Sequence, residues 1–460
     1  MRAFAVATAA LAALLACTAA TSPETSSESA PGTSATTAPR SAGSRPADWP
    51  VYHFSSYRSG NYPSMPTPTR LRVARSLTLD GEVYASPLAI RGQTIVATEN
   101  NTVYRFSASY QLLWKRHLGR PSPARERACG NIDPLGITGT PAYSAATGKI
   151  YVAAELSGSP PTHRLYAIDY RTGAVSWSRT LDLPGVDSAA MQERGALALV
   201  GSRVYVPFGG LAGDCGRYKG RVIAYSTSGT GSAISYTVPT SREAGIWAPP
   251  GPTADYQGNI LVAVGNGESG RGDRYDYSDS ILELSTSLRL TDSFSPRSWA
   301  TDNESDLDLG SQGPAISGPW ILAAGKSGNA YVLRRSHLGG IGGQVSSRSL
   351  CRSFGGTAVR GSVVFVPCTD GLRAVQIDSK GTMHVLWHAA ANITGSPIIA
   401  GGRVWSVDPD GGRLYSLSLA TGRVQGSVAV GKTSRFATPA VYGRDIRVPT
   451  LRGVVDVRTS

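Results

Sequence analysis

No apolar run in the 460-residue chain is long enough to cross a membrane as a permanent helix. No CxxC, no CxxCH and no two adjacent cysteines occur, which excludes a thioredoxin-like redox pair and a covalently attached c-type haem. No long amphipathic helical pattern interrupts the chain. Acidic residues are in deficit: 32 Asp and Glu against 45 Lys and Arg leave a formal net charge of +13. The excess is arginine scattered along the whole length, without clusters or interleaved aromatics, so nothing marks a nucleic-acid surface.

What is present starts with Met1, Arg2 and the run "AFAVATAALAALLA", which has the h-region length of an export signal. "LLAC" (Leu14 to Cys17) resembles a bacterial lipobox, in which the cysteine receives a diacylglyceryl group. Residues 1–17 are therefore read as a signal peptide with lipobox, and Cys17 as the lipidation site. Residues 18–47 are Ser, Thr, Pro and Ala with almost nothing to bury, which predicts a disordered tether. The expected location is extracytoplasmic, lipid-anchored to the cell membrane, with an ordinary secreted form as the alternative. Beyond Cys17, the even remainder of Cys129, Cys215, Cys351 and Cys368 in an oxidising compartment predicts two disulfides.

The rest of the chain is built on one pattern. "LYAIDYRTGAVSWSRTL" (Leu165 to Leu181) reads as two short strands around a turn at Thr172-Gly173, with Trp177 on the second. Segments from Val103, Val222, Ile281, Leu372 and Leu414 repeat it, and each follows another alternating pair. Those pairs start at Ala85, Gly139, Ala196, Pro252, Gly313, Gly356, Gly395 and Ala437, at intervals of roughly 40 to 60 residues. Four-stranded units at this period are the signature of propeller blades. The eighth unit ends at Ser460 after about three strands, and "LRVARSLTL" (Leu71 to Leu79) has nothing else to pair with.

The expected fold is all-β, an eight-bladed β-propeller of four-stranded antiparallel blades closed by an N-terminal strand. It fills residues 48–460 as one domain and is expected to be a monomer. Seven blades is the alternative, because the fifth unit lacks a clean second half around "LRRSHLGGIGG". On this frame Cys351 and Cys368 have the spacing of neighbouring strand ends in one blade, and Cys129 and Cys215 lie in loops of adjacent blades. The expected pairs are Cys129–Cys215 and Cys351–Cys368.

Written as Y-x-x-D-x-x-T-G-x-x-x-W, the repeat resembles the docking motif of the pyrroloquinoline-quinone (PQQ) propeller family. Tyr166, Asp169, Thr172, Gly173 and Trp177 match it in full, and Trp114, Trp387 and Thr421-Gly422 are fragments of it. "DWPVYHFSSYRSG", from Asp48, is similar to that family's opening segment. The tryptophans are expected to pack between blades.

Three stretches look less like scaffold: "AGIWAPPGPTADYQGNILVAVGNGES" from Ala244, "DNESDLDLGSQGP" from Asp302 and "AAGKSGNAYVLRR" from Ala323. Their order is similar to that of three segments around the cofactor in quinoprotein alcohol and glucose dehydrogenases. The resemblance implies Trp247 as the floor under the quinone, Lys326 as its hydrogen-bond partner, Asn266 as a calcium ligand and Asp306 as the catalytic base. In such a site Ca²⁺ polarises a quinone carbonyl, a carboxylate removes the substrate hydroxyl proton, and hydride passes to the quinone. The chain also departs from those enzymes. It lacks their adjacent Cys-Cys pair and has Ser305 where a tryptophan precedes their aspartate. For the acidic calcium ligand of the preceding blade it offers only Asp214, one residue out of register. The four other side chains are expected at one end of the funnel, with Asp214 falling short.

The expected function is that of a surface-anchored PQQ-repeat propeller serving as a non-catalytic binding or scaffold protein, without a cofactor. It would take protein or cell-envelope polymer through its faces and the membrane through its lipid anchor. The family includes the assembly lipoprotein of the outer-membrane β-barrel machinery, which binds no quinone. The alternative is a quinoprotein oxidoreductase acting on alcohols or sugars with PQQ and calcium. A hydrolase or sugar-binding propeller with Asp302 and Glu304 lining the funnel is a third.

Overall fold

Short alternating runs make the first blade. Leu88–Ile90, Gln93–Ala97, Thr102–Phe106 and Leu112–His117 pair in that order, each antiparallel to the next. The inner three strands are buried on both faces because each blade is sandwiched between neighbours, and the outermost is exposed along most of its length. The computed structural model describes residues 45–460, and in it eight sheets are built on this plan. Inner strands begin at Leu88, Ala142, Ala198, Thr253, Ala315, Ala358, Ile398 and Ala440, each just after one of the eight starts read from the sequence.

The ring closes as expected. Leu71–Thr78 is the outer strand of the eighth blade, antiparallel to Gly453–Thr459, with Leu71 opposite Thr459 and Thr78 opposite Gly453. Arg447, fully buried, donates to Thr94 Oγ1 (2.6 Å) and to the Gly92 carbonyl (2.9 Å), tying the eighth blade to the first. The seven-blade alternative is excluded, because the fifth sheet is complete: Ala315–Ser317, Trp320–Ala324, Asn329–Arg334 and Ser346–Ser349. Its last strand is obscure in the sequence because Gly340–Ile341 leaves the blade and pairs parallel with Leu290–Ser295 of the fourth.

The Thr-Gly turn and the tryptophan of the repeat meet across the blade boundary. Gly173 has φ +72°, and a Cβ there would sit 2.7 Å from the Trp114 ring of the preceding blade. The Trp114 indole N–H donates to the Tyr170 carbonyl at 3.0 Å. Trp387 meets Gly422 and the Leu419 carbonyl in the same way. These two indoles thus lie over glycines that have no side chain to keep them away, and their donors are satisfied, whereas Trp177 packs over Gly229 with its indole N–H unpartnered.

The segment after Ala47 plugs one end of the channel by bonding to the innermost strands around the ring. Trp49 pairs with Ala89, Ser56 O accepts from Ala254 N, and Gly60 O accepts from Ile399 N. Arg58, buried, donates to the carbonyls of Tyr52, Leu197 and Pro252. Burial pushes the pKa of His53 down to about 3, so its ring is neutral inside the plug.

The compact unit spans Pro46–Ser460. The signal and lipobox of residues 1–17, Cys17 included, and the tether up to residue 44 lie outside the described residues. No helix among the described residues is long and apolar enough to cross a membrane. Two disulfides are present among the described residues, Cys129–Cys215 and Cys351–Cys368. Cys351 and Cys368 are not strand ends of one blade as expected: Cys351 follows the fifth blade's outer strand, Ser346–Ser349, and Cys368 follows the sixth blade's second strand, Val363–Val366, because the outer strand of one blade runs on into the next.

Candidate functional site

The loops that follow the second strands of the third, fourth and fifth blades lie on one side of the ring. They are the loops after Arg203–Gly210, Ile260–Val264 and Trp320–Ala324, and they carry Asp214, Asn266 and Lys326. Equivalent positions in successive blades converge near the axis, which is why residues far apart in sequence share one cavity. That cavity, about 240 Å³, is lined by Asp214, Trp247, Asn266, Asp306 and Lys326 together with Arg194 and Phe354. A small void lined by Tyr52, Arg194 and Phe436 lies between it and the plug.

Lys326 is the electrostatic centre. Its Nζ donates to Asp306 Oδ1 at 2.5 Å and lies 2.7 Å from Asp308 Oδ2. The first contact is an aligned hydrogen bond. The second is an ion pair without that alignment, since both Asp308 oxygens lack a hydrogen-bond donor. Burial opposes the lysine charge, but Asp308 and Asp306 outweigh it and hold the ammonium pKa above its ordinary value. Asp308 is wholly buried, and burial raises its pKa to about 6 against the pull of Lys326. Asp279, also fully buried, is raised well above the carboxylate range by burial and by the charge of Asp308. The charge of Asp308 thus adds to burial in disfavouring the charged form of Asp279, while Lys326 is held by Asp306 and Asp308.

Asp214, expected to fall short, lines the same cavity as Asn266. Its Oδ1 is engaged by the Tyr218 hydroxyl, and its carbonyl accepts from Arg242 Nη2 at 2.8 Å. Calcium needs six to eight oxygen donors, with carboxylates prominent among them. No group of three or more His, Cys, Asp or Glu side chains among the described residues could hold a metal ion. The donor set offered by Asn266 and Asp214 therefore does not fit calcium.

Asp302 and Glu304 do not face the cavity. Asp302 accepts from the Ser298 hydroxyl at 2.6 Å, and Glu304 binds the Arg271 backbone N–H and guanidinium. The helix Trp299–Glu304 that carries them turns both away from the lining.

Arg194, Asp308, Asp279, Phe354 and Phe436 escape a motif-based reading. Arg194 lies over the rings of Trp247 and Phe436, its guanidinium carbon 5.7 and 5.3 Å from their centroids. Phe436 meets Trp247 edge to face at 6.3 Å. Lys326 Nζ is also 5.7 Å from the Trp247 centroid, so the indole is flanked by two cations. The backbone carries one sign of the site. Asp214, Glu243, Ala244, Asp279 and Asp306 have φ between +49° and +68°, and non-glycine residues held there cluster at ligand sites.

A search of curated proteins gave no match. Among solved structures, the quinohemoprotein alcohol dehydrogenase ADHIIG of Pseudomonas putida HK5 superposes with a TM-score of 0.69 at 15% identity, over 90% of this chain and 80% of that one. BamB of Moraxella catarrhalis gives 0.59 at 17% identity, over 85% of this chain and 100% of its own. The computationally designed Ika8 protein gives 0.55 at 10%, over 86% and 100%. At such identities these likenesses show the fold alone. A family model described as outer membrane protein assembly factor BamB matches residues 72–206 and 297–457. That match covers well over half of the chain, which therefore belongs to this PQQ-repeat propeller family.

Proposed function

We propose that the protein is a non-catalytic binding propeller of the cell envelope, anchored by lipid at Cys17, that takes its ligand through the loop face of the ring. The observation that carries this reading is Lys326 held between Asp306 at 2.5 Å and Asp308 at 2.7 Å. A lysine so neutralised has little to offer an anionic quinone, and a carboxylate so engaged is a poor proton acceptor. The donor set around Asn266 and Asp214 adds to the argument, since it lacks the acidic ligands a calcium ion requires.

One observation favours the oxidoreductase reading: Trp247, Asn266, Asp306 and Lys326, the four residues implied by resemblance, line a single cavity. The test is titration of the purified protein with PQQ and Ca²⁺, followed by quinone absorbance and by dye reduction with alcohols and sugars. The expected result is neither bound quinone nor dye reduction. PQQ binding at about micromolar Kd or tighter that disappears in Asn266→Ala and Lys326→Ala would overturn it. Lipidation is checked separately, by mass spectrometry of the mature N-terminus in wild type and Cys17→Ala.

A further inference from the structure

The funnel does not end at Phe354. Beyond that ring lies a second and larger cavity, about 420 Å³, walled by loops of the sixth, seventh and eighth blades and sharing Phe354 with the first. Its polar groups are held in place before any ligand arrives. Asp408, buried, accepts from the Gly411 N–H at 2.8 Å and from Asn392 Nδ2 at 2.7 Å. A Cβ at Gly411 would collide with that carboxylate, so the turn tolerates only glycine in this form. Thr433 lines the same cavity, but its hydroxyl is buried away from it and has no partner. The half-buried Phe354 ring carries the Arg435 guanidinium at 5.1 Å. On the other side of Phe354, Arg194 is stacked on Trp247 and paired with no carboxylate among the described residues.

We infer that the two cavities form one groove that binds a carboxylated oligosaccharide. This rests on the non-catalytic reading above and names its ligand class. A sugar ring has an apolar C–H face and a rim of hydroxyls. Phe354 provides a surface for the face, while the fixed Asp408–Asn392 pair provides acceptors and donors for the rim. Arg194 presents a planar fork that matches a carboxylate bidentately. Pockets for whole small ligands run to about 300–1,000 Å³, so two neighbouring cavities that share an aromatic ring suit a chain of sugars better than one ring.

The full chain, free of PQQ and Ca²⁺, is titrated by calorimetry and tryptophan fluorescence with a hyaluronan tetrasaccharide, with neutral chitotetraose and with free glucuronate. The acidic tetramer is expected to bind about tenfold tighter than the neutral one, and glucuronate more weakly than either tetramer. Arg194→Gln weakens the acidic tetramer more than the neutral one, so that the preference for the acidic tetramer is lost. Asn392→Ala, at an exposed position unable to unfold the ring, weakens both tetramers about tenfold. Failure of both tetramers to bind, or binding unchanged in both variants, or glucuronate binding as tightly as the tetramers, overturns the inference. Tight PQQ binding in the separate titration would overturn the non-catalytic reading and leave the saccharide result to stand or fall by itself.

Discussion

The Nζ of Lys326 lies 2.7 Å from Oδ2 of Asp308, a carboxyl without solvent exposure, and this pair makes the cavity sensitive to pH. Burial raises the Asp308 pKa to about 6, with Lys326 pulling it back. A folded-state pKa above the unfolded one means that the native state holds the proton more tightly. The resulting stability is full below about pH 4 and is lost as pH rises through about 6. Asp308→Asn has no such titration, so relative to wild type it should gain roughly 3 kcal/mol between about pH 4 and 7. Urea denaturation at several pH values and fixed ionic strength measures this. Stability curves for the two proteins that stay parallel over that range would contradict it.

Gly148 and Gly173 offer a matched comparison within the second blade. Both have positive φ, +64° and +72°, but an added methyl meets nothing within 4 Å at Gly148 and the Trp114 ring at 2.7 Å at Gly173. Gly148→Ala is expected to cost about 1–2 kcal/mol for the left-handed backbone alone. Gly173→Ala should cost roughly 1–3 kcal/mol more, because the indole must move. In a Trp114→Ala background that excess should vanish, which a double-mutant cycle reads directly. An excess that persists without the indole would mean that the turn, and not the tryptophan, requires glycine.

Much of this architecture was legible because each blade is local: alternation, a glycine turn and a tryptophan recur within a few dozen residues. The fifth blade was hard to read where Gly340–Ile341 pairs with the fourth blade, a contact that no local pattern announces. The cavity was half legible. Trp247, Asn266, Asp306 and Lys326 stand in stretches with an ordered resemblance, and the structure brings them to one cavity. Arg194 and Phe354 have no motif: Arg194 stands ahead of the third blade's inner strand and Phe354 ahead of the sixth's, and they share a cavity only when the ring closes. The state of Lys326 was equally hidden, since it depends on the side-chain directions of Asp306 and Asp308 and not on their presence in an acidic stretch.

Closure by Leu71–Thr78 predicts what truncation does. A chain that begins at Asp80 leaves Gly453–Thr459 as an unpaired edge and should aggregate, as exposed edges do. Thr69 N donates to Ser460 O at 2.7 Å, so the strand can instead follow the C-terminus through a short turn. A permutant running from Asp80 to Ser460 and then through Arg70–Leu79 lacks the plug just as the truncated chain does, so the difference between them isolates the strand, and the permutant is expected to aggregate less in size-exclusion chromatography. Equal behaviour of the truncated and permuted chains would show that this strand does not hold the ring together.

The two disulfides should differ in what they stabilise. Cys129–Cys215 closes a span of 86 residues and Cys351–Cys368 one of 17. Loop-closure entropy then assigns about 4.5 kcal/mol to the first and about 3 kcal/mol to the second. The longer bridge also sits beside the cavity: Cys215 follows Asp214, and a Cβ at Gly213 would lie 3.4 Å from Cys129 Sγ. Replacing Cys129 and Cys215 by alanine should therefore lower the denaturation midpoint more than replacing Cys351 and Cys368. It should also speed amide hydrogen exchange across Gly213 to Tyr218, because the loop loses its tie to Cys129. The shorter bridge ties the end of the fifth blade's outer strand to the loop after the sixth blade's second strand and should leave exchange in the Gly213 to Tyr218 loop unchanged. If both double variants loosen Gly213 to Tyr218 equally, the exchange reports global opening, and the Cys129–Cys215 bridge has no particular hold on Asp214.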